Sequence, residues 1–385
     1  MTEETRLIHA GRVDSPLART VGPAVQRGST VLLPNAAALY DDANHLTYGR
    51  QGLAAQAALI AGLCELENAK GVTLYPSGLA ALTGAMLALL KAGDEVLVVD
   101  TIYKPTRRFC DTVLARYGVQ VGYYGPTEDA ATLAGRVTEA TRLIVLESPG
   151  SLSFEMQDVP AIARMARERG VLTLIDNTWG AGLTFKPLDH GVDVSVQALT
   201  KYVGGHSDVF MGSAAAREPR LVQALEDGVL HLGWAVSPDD AYLMLRGLRT
   251  LSTRMTRHGE SGLAIASWLA GRPEVSRVLH PALPGDPGHD IWRRDYSGTC
   301  GLFAFVLKPS RAQAVAAFLD ALKVFGLGFS WGGFESLAID CDPQLQRRRF
   351  AAEYGGPMIR LHVGLEDPQD LIADLERGLA AWAAA

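Results

Sequence analysis

Short hydrophobic runs alternate with longer amphipathic stretches between residues 71 and 197. The runs are rich in Val, Leu and Ile and predict buried strands at 72–75, 95–99, 119–123, 142–147, 171–175 and 192–197. Helical patterns lie between them at 79–91, 104–116 and 160–169. Alternating strands and helices predict βαβ units and a mostly parallel sheet that is covered on both faces.

The pattern differs on either side of this region. Residues 1–55 lack periodicity and are interrupted by Pro16, Pro23 and Pro34, which predicts an N-terminal arm. We assign 56–247 to a large domain and 248–385 to a smaller α+β domain. A helical pattern begins at Ser237, an N-cap followed by Pro238, and continues to about 269. Further strands are predicted at 301–307 and 358–363, and helices at 311–322 and 368–384.

Composition narrows the function classes. The 385 residues are 48% hydrophobic, which is enough for a large core and more than one domain. The net charge of -6 and the lack of a basic stripe argue against a nucleic-acid partner. No secretory signal or membrane-spanning run is present, so we expect a cytoplasmic protein with no membrane partner. The scattered cysteines form no CxxC pair, so we expect neither a disulfide framework nor a metal site.

Two charged residues follow predicted strands at the edge where α/β proteins bind ligands. Lys201 comes after the predicted strand at 192–197, and by itself it reads more readily as a solvated surface lysine. Asp176 ends a strand that is buried on both faces, where a carboxylate is costly without a cation or donors. It is either a strand-end cap or the partner of a protonated pyridine nitrogen. A lysine for a Schiff base and such a carboxylate are what pyridoxal 5′-phosphate (PLP) requires of a protein.

A phosphate also needs a binding site. Ser77-Gly78-Leu79 lies where a strand gives way to a helix, whose first N–H groups attract an anion. The tripeptide alone reads as an ordinary turn with a serine N-cap. Thr200 offers a further hydroxyl to the same phosphate.

Five segments together resemble the Cys/Met-metabolism family of PLP enzymes, which has the aspartate-aminotransferase fold (fold type I). No single motif is decisive, but their joint order and spacing is specific, and the resemblance extends over nearly the whole chain. The segments are Thr47-Tyr48-Gly49-Arg50, Tyr75-Pro76-Ser77-Gly78-Leu79, Asp176-Asn177-Thr178-Trp179, Thr200-Lys201-Tyr202 with Gly205-His206-Ser207-Asp208, and Arg360-Leu361-His362-Val363-Gly364-Leu365-Glu366.

The resemblance implies roles for cofactor-binding residues. Lys201 is expected to carry PLP as a Schiff base, and Asp176 to keep the pyridine nitrogen protonated. The remaining cofactor contacts implied are Gly78, Leu79 and Thr200 at the phosphate, Tyr103 stacked on the ring, and Tyr48 and Arg50 reaching the phosphate of a neighbouring subunit. The last pair implies a homo-oligomer with shared active sites, a dimer at least and usually a tetramer. Without the family, Tyr48 and Arg50 read as a surface loop pair.

The resemblance also implies substrate contacts. Arg360 is expected to bind the substrate α-carboxylate through its two-pronged guanidinium, although alone it reads equally well as a surface arginine at a strand end. Tyr48 is placed with the substrate as well. Ser330 and Trp331 fall in a segment that resembles the bacterial cystathionine β-lyase branch, where the tryptophan lines the substrate pocket; otherwise Trp331 is core packing.

Three departures from the wider family favour the same branch. Ser151 stands where γ-synthases and γ-lyases usually have asparagine, Ala198 stands where they have a phosphate-binding serine, and Lys104 replaces the start of a glycine-rich turn. The expected reaction is therefore β-elimination of a sulfur amino acid, L-cystathionine, with Lys201 and Tyr103 as catalytic residues. The alternative is γ-elimination, γ-replacement or sulfhydrylation of a homoserine ester on the same scaffold.

Two other classes are weaker readings. A nicotinamide-dependent dehydrogenase needs a glycine-rich fingerprint in the first βα turn, and Gly326-Leu327-Gly328 lies far too late in the chain. A non-catalytic scaffold protein would leave Lys201 and Asp176 as solvated charges.

Overall fold

The main sheet has seven strands. A computed structural model describes residues 1–12, 20–41, 45–311, 313–346, 348–350 and 353–385. The strands of the main sheet are β1 Gly71–Tyr75, β2 Glu95–Val99, β3 Gln120–Tyr124, β4 Thr141–Glu147, β5 Leu172–Asp176, β6 Val194–Gln197 and β7 Gly212–Ala216.

The order in this sheet is β1-β7-β6-β5-β4-β2-β3. Strands β6, β5, β4, β2 and β3 are mutually parallel, whereas β7 runs antiparallel to both β1 and β6. The six strands predicted from hydrophobic runs are all present, shifted by up to two residues at their ends. Strand β7 escaped prediction because Gly212 to Ala216 contains only Gly, Ser and Ala, which have little strand propensity. Its small residues are all buried between two neighbouring strands.

Thirteen α-helices lie in the described ranges. They are α1 Glu3–His9, α2 Ala54–Glu67, α3 Gly78–Leu89, α4 Lys104–Phe109, α5 Ala130–Ala134, α6 Val159–Glu168, α7 Pro219–Leu232, α8 Pro238–Leu248, α9 Leu251–Ala270, α10 His289–Asp295, α11 Ala314–Ala321, α12 Asp342–Leu345 and α13 Pro368–Ala384. Short 3₁₀ turns occupy Ala36–Tyr40, Gly49–Gln51 and Pro187–His190, and a π-helical turn, Cys110–Leu114, continues α4.

The predicted long helix from 237 to 269 is two helices. Helix α8 ends because both the N–H and the hydroxyl of Thr250 bond to the Gly247 carbonyl, at 3.1 and 3.2 Å. Gly247 also packs closely against the backbone of a different segment. A Cβ there would lie 2.3 Å from the Val203 carbonyl oxygen, so the end of α8 packs directly on the turn that follows Lys201. The domain boundary predicted after residue 247 lies one residue before the end of α8 and stays a prediction.

A second sheet lies in the C-terminal part of the chain. Its strands, in the order β10-β11-β12-β9-β8, are β8 Val275–Leu279, β9 Leu302–Leu307, β10 Gly326–Leu327, β11 Leu337–Asp340 and β12 Met358–His362. A separate hydrophobic core, which includes Phe303, Phe305 and Phe318, packs this sheet against α9, α11 and α13. Residues 13–19 and 42–44 of the predicted N-terminal arm, Pro16 among them, lie outside the described residues. Over the described ranges, no helix combines the length and apolarity needed to span a bilayer.

Candidate active site

A cavity of about 470 Å³ lies at the carboxyl ends of the parallel strands. Strands β4, β5 and β6 bring Glu147, Asp176 and the turn after Gln197 to this edge. The cavity collects eight of the residues proposed from the sequence, which are Gly78, Leu79, Tyr103, Asp176, Thr200, Lys201, Trp331 and Arg360. Residues from both sheets therefore form one site.

Lys201 extends into the cavity from the turn after β6. The turn is fixed by bonds from the Lys201 N–H to the Ala198 carbonyl at 3.0 Å and from the Gly205 N–H to the Lys201 carbonyl at 2.8 Å. The Lys201 ammonium Nζ donates to Ser330 Oγ at 2.9 Å and lies 5.3 Å from the centre of the Trp331 ring. Burial, aided by the nearby Arg360 cation, lowers the pKa of Lys201 to about 8.

The Thr200 hydroxyl already has protein partners. Thr200 Oγ1 donates to the Met211 carbonyl at 3.1 Å and accepts from the Met211 N–H at 3.0 Å. These two bonds tie the lysine-bearing turn to the start of β7. A hydroxyl has only one proton, so a phosphate would have to compete with Met211 for it.

Asp176 ends β5 at the cavity wall. Its Oδ1 accepts bonds from both the N–H and the hydroxyl of Thr178. In the part of the chain that the structure describes, Oδ2 has no hydrogen-bond partner and the carboxylate forms no salt bridge with an arginine or lysine. Burial raises the pKa of Asp176, while the Thr178 bonds and the Lys201 cation oppose that shift. A partly buried carboxylate with one free oxygen suits a cationic N–H donor.

The N-terminus of α3 faces the same cavity. The Ser77 hydroxyl oxygen caps the helix by accepting from the Ala80 N–H at 3.1 Å. Gly78 and Leu79 line the cavity at the first turn, where helix N–H groups lack partners within the helix. A Cβ on Gly78 would lie 2.3 Å from the Cβ of Ala198. The glycine therefore lets α3 approach the end of β6 closely.

Arg360 lies on β12 and is 7% exposed. Its Nη2 donates to the carbonyls of Ser330 at 3.0 Å and Phe329 at 3.3 Å, and Nε has no partner among the described residues. Burial lowers the pKa of Arg360 to about 10, so the guanidinium stays charged at neutral pH. A buried cation bonded only to carbonyls provides a place for an anionic group.

These features fit PLP. The cavity provides a lysine with a lowered pKa, a partly buried carboxylate with a free oxygen, a helix N-terminus for a phosphate, and one guanidinium beside them. Comparison with known proteins agrees. The profile described as "Cys/Met metabolism PLP-dependent enzyme" matches residues 4–380.

The chain belongs to this family of PLP-dependent enzymes.

Three relatives show how far the similarity extends. A protein of Rhizobium johnstonii named putative cystathionine beta-lyase is 49% identical, over 99% of this chain and 96% of its own length. The cystathionine beta-lyase of Escherichia coli K12 is 41% identical, over 98% of both chains. The structure of a cystathionine gamma-lyase from Lactobacillus plantarum, complexed with L-serine, superposes with a TM-score of 0.91 at 30% identity, covering 100% of both chains. The predicted family, fold class and cofactor are confirmed: this is a PLP-dependent enzyme.

Tyr103 lines the cavity and directly precedes α4. It is 44% exposed. The Tyr103 N–H donates to Glu147 Oε2 at 2.7 Å. Partial burial raises the pKa of the Tyr103 phenol, and the negative charges of Asp176 and Glu147 add to this shift.

Glu147 is a cavity residue that sequence reasoning did not single out. It ends β4 directly beside Asp176 in the register of the two parallel strands. Burial and the adjacent Asp176 raise the pKa of Glu147 well above its usual value. Its position after a buried strand, like that of Asp176, was the available signal. No partner for Glu147 is visible in the sequence, because its neighbour Asp176 belongs to a strand 25 or more residues away.

The family's Tyr-x-Arg pair lies apart from the cavity of its own chain. Tyr48 is 46% exposed and Arg50 donates to the Leu230 carbonyl at 3.1 Å. The guanidinium carbon of Arg50 lies 5.9 Å from the centre of the Tyr48 ring. The pair is thus surface-directed, and its role at a neighbouring subunit stays a prediction.

Proposed function

We propose that this enzyme catalyses β-elimination of L-cystathionine, in which L-cystathionine and water give homocysteine, pyruvate and ammonia. The observation that carries the proposal is the arrangement around Lys201 Nζ, with Ser330 Oγ at 2.9 Å, the Trp331 ring at 5.3 Å and Arg360 in the same cavity. Two relatives at 49% and 41% identity bear the name of this activity.

The cofactor-binding roles follow from the groups that the cavity leaves available. When bound, PLP supplies an aldehyde for amino groups and a ring that accepts electrons from the substrate Cα. We assign the pyridine nitrogen to Asp176, whose free Oδ2 suits a cationic N–H donor. The phosphate is assigned to the N–H groups of Gly78 and Leu79 and to the hydroxyl of Thr200, and Tyr103 is assigned to stack on the ring.

Ser77 is a further candidate for the phosphate. Its oxygen accepts the Ala80 N–H, but its own proton has no acceptor among the described residues. The side chain lines the cavity next to Ala198, the position where the wider family usually has a serine. A donor at the N-cap of α3 can replace the missing hydroxyl on the turn after β6.

Lys201 is proposed as the base that takes the substrate Cα proton. A lysine with the ordinary pKa of about 10.4 is neutral in roughly 0.04% of molecules at pH 7. With a pKa of about 8, roughly one-tenth of the amines are neutral, so the cavity raises the basic form more than 100-fold. Ser330 Oγ accepts from Nζ and holds it at a defined point.

Tyr103 is proposed as a proton donor to the leaving sulfur, a role it shares with protonated Lys201. A phenol whose pKa is raised stays protonated at neutral pH and can act as an acid there. The Glu147 carboxylate receives the Tyr103 N–H and fixes the start of α4 beside the cavity.

Arg360 and Trp331 are proposed to orient the substrate. Arg360 has no carboxylate partner in the described chain, so a substrate α-carboxylate can bind the remaining nitrogens of its fork. Trp331 adds an apolar wall near Lys201. Holding the carboxylate fixes which bond to Cα is broken, because the reacting groups must be aligned.

We also propose that the working unit is a homo-oligomer, with Tyr48 and Arg50 completing the substrate and phosphate sites of a neighbouring subunit. Neither residue lines the cavity of its own chain, and Tyr48 is exposed. A tetramer in the cytoplasm is the assembly and location that we expect.

The test combines the cofactor and the products. The purified enzyme is expected to absorb visible light, to lose its colour with borohydride, and to release pyruvate from L-cystathionine. Lys201→Ala is expected to abolish pyruvate release, whereas Lys91→Ala, which removes an exposed lysine, is expected to leave it unchanged. Release of 2-oxobutyrate in place of pyruvate would replace β-elimination by γ-elimination.

A further inference from the structure

The segment Phe329 to Gly333 is held from behind by β12. Arg360 and His362 are two residues apart on this strand, so their side chains project from the same face of the sheet. Arg360 bonds to the carbonyls at the start of the segment, as described above. His362 contacts its end.

His362 is fully buried and faces a turn of two glycines. Its Nε2 lies 3.1 Å from the Gly332 nitrogen and 3.0 Å from the Gly333 oxygen. One tautomer accepts the Gly332 N–H and the other donates to Gly333, so each neutral form links the ring to this turn. Burial, together with the nearby His258, lowers the pKa of His362 to about 3, so the ring is neutral at physiological pH.

The glycine turn packs directly on the backbone that carries the catalytic lysine. Gly332 has a φ of +83°, and a Cβ on it would lie 2.8 Å from both the Lys201 carbonyl carbon and the Tyr202 nitrogen. A glycine is required here for both reasons. Any movement of this turn therefore moves Ser330 and Trp331 relative to the Lys201 side chain.

The Tyr202 ring connects the same groups. Its centre lies 5.5 Å from that of Trp331 and 5.9 Å from that of His362. The Tyr202 hydroxyl oxygen accepts the Gly301 N–H at 3.1 Å, which fixes the ring against the second sheet. His362 and Tyr202, which are buried, and Trp331, which is partly buried, thus form one contact group beside Lys201.

We propose that His362 is a positioning residue for the reaction, which holds the Gly332-Gly333 turn so that Ser330 and Trp331 stay in contact range of Lys201 Nζ. It does not touch the cavity itself, since it is absent from the cavity lining. The proposal rests on the proposed function for the role of Lys201.

Three substitutions of His362 differ in which ring nitrogen they can replace. The amide of His362→Gln reaches the position of Nε2 and can replace its bond to the turn, whereas the shorter amide of His362→Asn reaches only the position of Nδ1. His362→Phe keeps the ring volume and removes both nitrogens. We expect the glutamine variant to retain kcat within about threefold and the other two to lose tenfold or more, since misplacement of about 1 Å costs up to about 100-fold.

A second readout needs no substrate. The visible absorbance of the holoenzyme is titrated with pH in each variant. Loss of the Ser330 contact to Lys201 is expected to shift the midpoint on the order of one pH unit in the asparagine and phenylalanine variants, the equivalent of one hydrogen bond, and not in the glutamine variant. A purely structural role would lower the melting temperature without this pattern.

A double-mutant cycle with Ser330→Ala tests the route of the effect. If His362 acts through Ser330, the serine substitution costs less in the His362→Phe background than in the wild type. Additive losses, or equal behaviour of the glutamine and asparagine variants, overturn the proposal; if the phenylalanine variant does not fold, the amide pair decides. If the wild type does not release pyruvate, the proposed function is rejected instead. The absorbance titration would then still test the role of His362, because it needs no substrate.

Discussion

Gly78→Ala tests whether the close approach of α3 to the end of β6 is what forms the phosphate site. The new Cβ would lie 2.3 Å from the Cβ of Ala198 and 2.8 Å from its Cα, both far inside van der Waals contact. Ala198 cannot easily move away, because it lies in the turn that the backbone bonds of Lys201 and Thr200 hold in place. The helix must therefore move away, at a cost of about 1–3 kcal/mol for overpacking.

The same movement displaces the helix N–H groups that are assigned to the phosphate. We expect the dissociation constant for PLP to rise about tenfold for each 1.4 kcal/mol of lost binding free energy. The assay is titration of the apoenzyme with PLP, followed by visible absorbance, alongside urea denaturation. Gly271→Ala is the control, because its new Cβ meets nothing closer than 3.5 Å and should leave both measurements nearly unchanged.

Ala198→Gly provides the rescue. Removing the Ala198 Cβ relieves the 2.3 Å contact but leaves the 2.8 Å contact with its Cα. The double variant Gly78→Ala/Ala198→Gly is therefore expected to regain part of the lost PLP affinity, and not all of it. If Gly78→Ala costs the same affinity in both backgrounds, or binds PLP like the wild type, then the packing of α3 on Ala198 does not determine the phosphate site.

Two further predictions concern stability and substrate binding. Burial lowers the pKa of His258 and His280 to about 4, and of His362 to about 3, below the value of about 6.5 in an unfolded chain. Protonation therefore favours the unfolded state, and the free energy of unfolding should fall below pH 6.5 by about 1.4 kcal/mol per histidine per pH unit. Urea denaturation at pH 7.5 and 5.5 measures this fall, and equal free energies of unfolding at the two pH values would refute the prediction. Arg360→Lys should raise KM for L-cystathionine about 10- to 100-fold, because one ammonium cannot replace the fork that also bonds to Ser330; an unchanged KM in steady-state assays would remove Arg360 from the carboxylate site.

The parallel part of the main sheet could be predicted from the sequence, because β4 contains the apolar run Leu143 to Leu146 and the neighbouring β5 and β6 are also rich in Leu, Ile or Val. The sequence did not indicate β7, whose Gly, Ser and Ala residues pack between strands without any apolar signature. The break between α8 and α9 was also missed. Helical periodicity continues across Thr250, and the bonds to Gly247 that end α8 depend on a local turn.

Some residues of the site could likewise be predicted from the sequence, whereas others could not. Lys201 and Asp176 follow buried strands, and that position is visible in the sequence. Glu147 follows such a strand too, yet its effect depends on lying beside Asp176 across the sheet, which only the register of β4 and β5 shows. The commitment of the Thr200 hydroxyl to Met211 is likewise a contact between segments 11 residues apart that no motif encodes.

The placement of Ser330 and Trp331 shows why the choice of reaction is harder to read than the cofactor. The groups that we assign to PLP lie at the strand ends of the main sheet and on α3, and their order along the chain is a recognisable pattern. The groups around Lys201 Nζ come from a segment attached to the second sheet through Arg360 and His362. Which bond to the substrate Cα or Cβ breaks depends on how these two sheets are held together at the cavity, to within about an ångström. Residue identity alone specifies the groups present there, whereas the contacts behind them, at Gly332 and His362, specify where those groups lie.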